Sequence, residues 1–275
     1  MIIQAELDEI KIKAGLNQSR AMEELAFSCI DLTTLNATDT RNYVRIFTSR
    51  VNDFGNDYPS LPNVAAVCVY PNMVQSVKET LNQDKVRIAA VAGGFPASMT
   101  FIGLKVEEAR MAVELGADEV DIVLPLWAFL EGDLITCREE IGTIKKAIGE
   151  AHLKVILETG ILGEPEKIYK ASMLAMESGA DFIKTSTGKV SPAATPGAAY
   201  VMCQAIREFH SRTGHRVGFK PAGGIATTGD AILYLTIVRE VLGETWMNPE
   251  LFRIGASRLA NHLLGDILNE EISYF

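Results

Sequence analysis

Three charged residues sit where charge is expensive. Asp121, Lys184 and Lys220 each fall inside a short, mostly apolar run of strand-forming residues, and a lone charge there is costly to desolvate unless it is paired or neutralised. Any one of them alone reads equally well as a structural ion pair; three together point to chemistry. Lys184 and Lys220 come at the C-terminal parts of consecutive runs, and neighbouring strands lie about 4.8 Å apart. Two ammonium groups so placed are crowded. Crowding and burial both disfavour the charged amine and draw a lysine pKa from about 10.4 toward about 7 to 8. A neutral lysine attacks a carbonyl to form a Schiff base, whose iminium stabilises an adjacent carbanion. That is aldol chemistry without metal, with Asp121 accepting and returning protons, directly or through a water. The spacing does not decide which lysine is the nucleophile.

Elements must exist to bring these groups together. Eight short runs end in Gly, Pro or polar residues: 27–31, 64–70, 87–93, 119–124, 154–158, 182–187, 218–220 and 253–256. Most are apolar throughout, as suits parallel strands covered on both faces. Helical stretches separate most of them, at 106–115, 139–151, 166–178, 196–207 and 229–242. The pattern predicts a (β/α)8 barrel, built as one domain over 1–275, rather than a doubly wound sheet. Residues 1–24 are read as a helical extension capping the barrel bottom, its charges a solvated face, and 266–275 as a tail. A weak repeat, Gly116-Ala117-Asp118 and Gly179-Ala180-Asp181, places a charge three residues later in each case, Asp121 and Lys184. These fall on strands four and six, and alternate strands of a barrel share interior layers. The two side chains should therefore face each other.

Gly223 and Gly224 follow the seventh run, and Gly255-Ala256-Ser257 closes the eighth ahead of a helix starting near Arg258. Small residues let backbone amides point inward, and a helix N-terminus adds a positive dipole, so phosphate is expected there. The loop 185–189 supplies further donors, with Lys189 secondary. The four histidines, His152, His210, His215 and His262, are poorly placed as metal ligands, and neither Gly93-Gly94 nor Gly223-Gly224 has nucleotide-loop spacing. No metal and no dissociable cofactor is expected. With 26 Lys+Arg against 35 Asp+Glu and a net charge of −9, the chain is no general binder of nucleic acid or anionic membrane. No export signal or spanning segment is visible, and Cys29, Cys68, Cys137 and Cys203 lie far apart without C-x-x-C spacing. A soluble cytoplasmic protein with reduced thiols is expected.

Residues 181–189 (DFIKTSTGK) and 218–224 (GFKPAGG) strongly resemble the deoxyribose-phosphate aldolase family. The resemblance extends through 31–35, 65–71, 116–121, 158–160 and 255–257, and covers roughly residues 25 to 265. It implies a class I aldolase that reversibly splits 2-deoxy-D-ribose 5-phosphate into acetaldehyde and D-glyceraldehyde 3-phosphate, cytoplasmic and commonly dimeric, with small-molecule substrates. By the same resemblance Lys184 forms the Schiff base, Lys220 tunes it and joins proton transfer, and Asp121 is the acid/base. Asp31 and Thr187 match positions lining the sugar pocket. Gly188, Gly223, Gly224, Gly255 and Ser257 match the phosphate cradle.

Departures from the family pattern are few. Arg258 replaces a small polar residue and is read as pointing outward, though inward it would strengthen anion binding. Gly197 replaces an acidic residue at a helix start, forfeiting about 0.3 to 1 kcal/mol of dipole contact. Tyr274 is penultimate where some relatives end in a tyrosine, and packing or disorder is expected of it. Cys68 either faces the pocket, within reach of electrophilic aldehydes, or is a buried inert thiol; the second is favoured. The competing functions are another Schiff-base barrel of transaldolase type and a sugar-phosphate-binding regulator without turnover, which retention of both lysines and Asp121 disfavours.

Overall fold

A computed structural model describes residues 2–275. Its eight strands are β1 (Ile30–Thr33), β2 (Ala66–Val69), β3 (Arg87–Val91), β4 (Glu119–Val123), β5 (His152–Ile156), β6 (Phe182–Lys184), β7 (Gly218–Lys220) and β8 (Ile254–Ala256). All pair in parallel in the order β7-β6-β5-β4-β3-β2-β1-β8. The β7/β8 seam closes through bridges Phe219–Phe252 and Ala222–Gly255, and the Phe219 amide donates to the Leu251 carbonyl at 2.9 Å. The result is the (β/α)8 barrel the alternation predicted.

Successive residues of a strand face opposite ways. Ile30, Leu32, Val120, Ile122, Ile183 and Phe219 point outward into the layer between strands and helices, where they are fully buried or nearly so. The inward residues of β2 and β3 are small and apolar: Ala66, Cys68, Ala89 and Val91. The Phe182 ring, with Arg253 over it at 5.8 Å, also faces inward, and charged side chains gather in the lumen beside it.

The flanking helices follow the expected stretches with shifted ends. The stretch 139–151 becomes Leu134–Ile148, which starts earlier because Asp133 caps it, accepting from the Thr136 amide at 3.0 Å, and ends earlier at Gly149, whose φ is +59°. The stretch 196–207 runs on to Thr213, where Gly214 takes φ +75° and ends it. Thr195 caps that helix and Pro196 opens it, so its start is secured without an acid at Gly197.

Two expectations need correction. The N-terminal segment forms two helices, α1 (Ile2–Asn17) and α2 (Arg20–Ser28). Helix α1 packs against the outer helices Pro196–Thr213 and Thr228–Leu242 instead of capping the barrel bottom. Leu7 and Ile10 are buried there, Tyr200 donates to Glu6, and Lys13 pairs with Glu240. The first strand begins at Ile30, not at residue 27, because Ser19 caps α2 and the helix carries through Phe27. A short apolar run such as 27–31 does not distinguish helix end from strand start.

Candidate active site

The lumen holds seven charged side chains, each at most 3% exposed. They enter from β1 (Asp31), β4 (Glu119 and Asp121), β5 (Lys154), β6 (Lys184), β7 (Lys220) and the residue before β8 (Arg253). Register places Asp121 opposite Lys154, and Lys184 opposite Lys220 one inward step higher. Lys184 Nζ donates to Asp121 Oδ2 at 2.8 Å, and Lys220 Nζ shares the same oxygen at 2.9 Å. The predicted facing of Asp121 and Lys184 is therefore a direct hydrogen bond, and the two crowded amines converge on one acceptor.

Beneath them lies a second tier. Lys220 also donates to Asp31 Oδ2. Lys154 holds Asp121 Oδ1 at 3.0 Å and Glu119 Oε2 at 2.5 Å. Arg253 reaches Asp31 Oδ1 at 2.7 Å and grips both oxygens of Glu119, at 3.1 and 2.8 Å. That bidentate geometry suits a desolvated guanidinium.

The environment separates the amines. Burial, reinforced by the Lys220 ammonium, lowers the Lys184 pKa even though Asp121 opposes the shift. Burial also works against the Lys220 charge, but Asp121 and Asp31 together more than offset it and hold its pKa above the ordinary lysine value. Burial would raise the Asp121 pKa, yet Lys154, Lys184 and Lys220 drive it well below the usual carboxylate range. One amine thus gives up its proton more readily than an ordinary lysine, beside a firmly ionised carboxylate.

Above the network opens a cleft of about 470 Å³, at whose floor lies Lys184. Thr187, Gly188, Gly223, Gly224, Gly255 and Ser257 all border it, so the structure brings these site residues together. Asp31 is the exception. It does not line the cleft but lies below it, holding Lys220 and Arg253, because its side chain points from β1 into the lower tier. The Gly188, Gly223 and Gly224 amides donate to no protein acceptor among the described residues. Gly223 takes φ +84°, and a Cβ there would stand 2.7 Å from Ala193 Cβ and 3.0 Å from Gly188 Cα. At Gly255 a Cβ would meet Ala222 Cβ at 2.7 Å and Lys220 Cε at 3.2 Å. The absent side chain there leaves room for the amine below.

Other residues singled out fall as follows. Arg258 is exposed at the cleft rim. Lys189 lies on the loop beside the cleft and donates to the Leu35 carbonyl at 2.5 Å. Cys68 is fully buried inside the lumen, where burial raises its thiol pKa. The Tyr274 hydroxyl donates to Asp57 at 2.6 Å and its ring packs edge-on against Phe54, while the neighbouring Phe275 borders the cleft. His210 packs against Trp246 and His152 opens β5, its Nδ1 3.9 Å from Glu119. No cluster of three or more His, Cys, Asp or Glu side chains suited to a metal occurs among the described residues.

Sequence reasoning overlooked Glu119, Lys154 and Arg253, the first residues of their expected runs, taken there as strand entries. The available signal was parity: Glu119 and Asp121, like Arg253 and Gly255, are two apart and so share a face. Glu158 was overlooked too. Buried at the end of β5, it accepts from the Thr187 hydroxyl at 2.5 Å and so fixes the loop that walls the cleft.

Known proteins are similar to this chain in sequence and in fold. The model of the DeoC/LacD family aldolases matches residues 25–243. Deoxyribose-phosphate aldolase from Bos taurus is 47% identical over 244 residues, covering 85% of this chain and 77% of that protein. The Homo sapiens deoxyribose-phosphate aldolase is 45% identical over 248 residues, covering 86% and 78%. Among solved structures, the aldolase QR15 superposes with a TM-score of 0.71 at 30% identity, over 89% of this chain and 98% of its own. The tetrameric deoxyribose phosphate aldolase from Aeropyrum pernix also gives a TM-score of 0.71, at 25% identity, over 94% and 97%. With four-fifths of the chain inside the family model and its strand-borne charges in one lumen, the protein belongs to the DeoC/LacD aldolase family.

Proposed function

We propose that the protein is a class I deoxyribose-phosphate aldolase, a lyase that reversibly cleaves 2-deoxy-D-ribose 5-phosphate to acetaldehyde and D-glyceraldehyde 3-phosphate in deoxynucleoside catabolism. One observation carries the reading: of the three lysines in the lumen, Lys184 alone borders the cleft, and its single carboxylate partner is shared with Lys220. Lys184 Nζ adds to the C1 carbonyl, and Asp121 takes a proton from the added amine and returns it, directly or through a water, to the oxygen that leaves the carbinolamine as water, the second proton of that water coming from solvent. Transfer of the C3 hydroxyl proton to Asp121, or to a water it holds, breaks the C2–C3 bond. The electron pair passes into the iminium as an enamine and glyceraldehyde 3-phosphate departs. Protonation at C2 and hydrolysis then release acetaldehyde and restore the free amine.

Lys220 remains cationic, keeps Lys184 from protonating, and joins the proton transfers. The amides of Gly188, Gly223 and Gly224, with Gly255 and Ser257, receive the phosphate, and Thr187 faces the sugar. Asp31 contributes to that pocket through Lys220 rather than by touching substrate. The chain works as one catalytic unit, and no described helix is long and apolar enough to cross a membrane. We place it in the cytoplasm as a homodimer, in keeping with its substrate and the family resemblance.

The test is reductive trapping. Incubation with deoxyribose 5-phosphate and borohydride, then peptide mass mapping, should find the adduct on Lys184, with chelators leaving the rate unchanged. Lack of labelling would favour a sugar-phosphate-binding regulator, and loss of activity on chelation would move the case to metal chemistry. The cradle has its own test. Gly223→Ala forces a side chain into the left-handed region and against Gly188, so KM for the phosphorylated sugar should rise about tenfold. Its kcat, and cleavage of unphosphorylated deoxyribose, should stay near wild type. Equal loss on both sugars would count against a phosphate role for these amides.

A further inference from the structure

The seven lumenal groups do not balance when all are ionised. Asp31, Glu119 and Asp121 carry three negative charges, and Lys154, Lys184, Lys220 and Arg253 carry four positive ones. The other titratable neighbours add no hydrogen bond to the set: Cys68 is a buried thiol whose pKa burial raises, and His152, half-exposed as a residue at the lower edge, turns a buried Nδ1 toward Glu119 at 3.9 Å, beyond hydrogen-bond distance. An uncompensated charge among side chains this deeply buried is costly, and the set is neutral only when one amine gives up its proton.

Geometry selects which amine. Lys220 touches two carboxylates, Asp31 and Asp121. Lys154 touches Glu119 and Asp121, with Asp31 at 3.6 Å. Arg253 touches Asp31 and Glu119 and does not deprotonate in proteins. Lys184 touches Asp121 alone, through an oxygen that Lys220 also uses, while Lys154 draws on the other oxygen of the same carboxylate.

We infer that Lys154 and Glu119, neither of which borders the cleft, are positioning residues whose charges set the count that leaves Lys184 as the neutral amine. The inference rests on reading Lys184 as the nucleophile. Lys154 acts through Asp121, by occupying Oδ1 and reducing the hold of that carboxylate on the Lys184 proton. Glu119 acts through Lys154 and Arg253, by absorbing their charge.

The effects of the two residues therefore have opposite signs. Lys154→Met removes a positive charge, restores neutrality with Lys184 protonated, and should raise the pH at which Lys184 becomes reactive. Glu119→Gln removes a negative charge and should lower it. The Lys154→Met/Glu119→Gln double variant removes a whole ion pair, returns the count to its original value, and should bring the profile back toward wild type.

The readout is the pH dependence of Lys184 acetylation by trace acetic anhydride, followed by peptide mass mapping, beside the pH profile of kcat/KM. Each single variant should move the inflection by about one pH unit, equivalent to about tenfold in labelling rate at a pH below both inflections. Inflections that do not move, or that move the same way in Glu119→Gln and in the double variant, would overturn the inference. The isosteric Glu119→Gln and the charge-balanced double variant decide it even where Lys154→Met fails to fold. Wild-type protein that does not trap substrate on Lys184 would instead refute the underlying reading, and is distinguishable because it needs no variant.

Discussion

Lys184→Leu is expected to abolish turnover, lowering kcat by at least about 10³-fold, while leaving the protein folded and less sensitive to pH. The loss in rate follows from chemistry: without an amine at the cleft floor no iminium forms, and Lys220, tied to Asp31 and Asp121, stands below the cleft with no route to the carbonyl. The stability effect follows from charge. With leucine at 184, three carboxylates face three cations, and Asp121 keeps Lys154 and Lys220 as partners. In the wild type the folded-state pKa of Lys184 is depressed by burial and by Lys220, so below the ordinary lysine pKa the unfolded chain binds a proton the fold resists. Wild-type stability therefore rises with pH between the folded and unfolded values for this lysine. The leucine variant loses that dependence and should melt no lower than wild type near neutral pH. Paired thermal melts across pH, with a turnover assay, check both halves. A variant that folds normally yet retains a tenth of the wild-type rate would remove Lys184 from the nucleophile's role.

What the residues disclosed in advance, and what they concealed, has a physical pattern. Asp121, Lys184 and Lys220 were legible because charge stands out within apolar strand segments, and the Gly-Ala-Asp repeat set two of them on alternate strands. The cleft glycines were legible because a turn that must expose amides to an anion draws on few residue types. Glu119, Lys154 and Arg253 were concealed because a charge at a strand's first position is commonplace, and only pairing across the lumen reveals them as one cluster. Asp31 was assigned to the sugar pocket by family resemblance, and only the three-dimensional path of β1 turns it into the lower tier. Strand ends were blurred for a related reason. Residues 185–187 look like strand, but the Thr185 hydroxyl accepts from the Ala222 amide and Thr187 is drawn to Glu158, so the chain leaves the ladder at Lys184.

Lys220→Met has the second-largest expected effect, and its outcome separates two roles that the wild-type geometry leaves combined. Deleting this ammonium removes the positive charge that keeps Lys184 from protonating and returns Asp121 Oδ2 to Lys184 alone. Both changes raise the Lys184 pKa, so near neutral pH the nucleophile becomes an ammonium. The rate there should fall by about 10²- to 10³-fold, roughly tenfold for every pH unit by which the inflection climbs. Breaking a buried pair ordinarily costs about 3–5 kcal/mol. Here the proton taken up by Lys184 repairs the balance, three carboxylates again meeting three cations, and Asp31 keeps Arg253 at 2.7 Å. The expected destabilisation is therefore at the lower end of that range, visible as a modest drop in melting temperature. The pH profile decides between the roles. If Lys220 acts mainly by holding Lys184 neutral, kcat/KM of the variant climbs as the pH approaches that of an ordinary lysine, about 10.4, and recovers most of the wild-type value. If its own proton is indispensable to C–C cleavage or to carbinolamine breakdown, labelling of Lys184 recovers at alkaline pH while turnover does not.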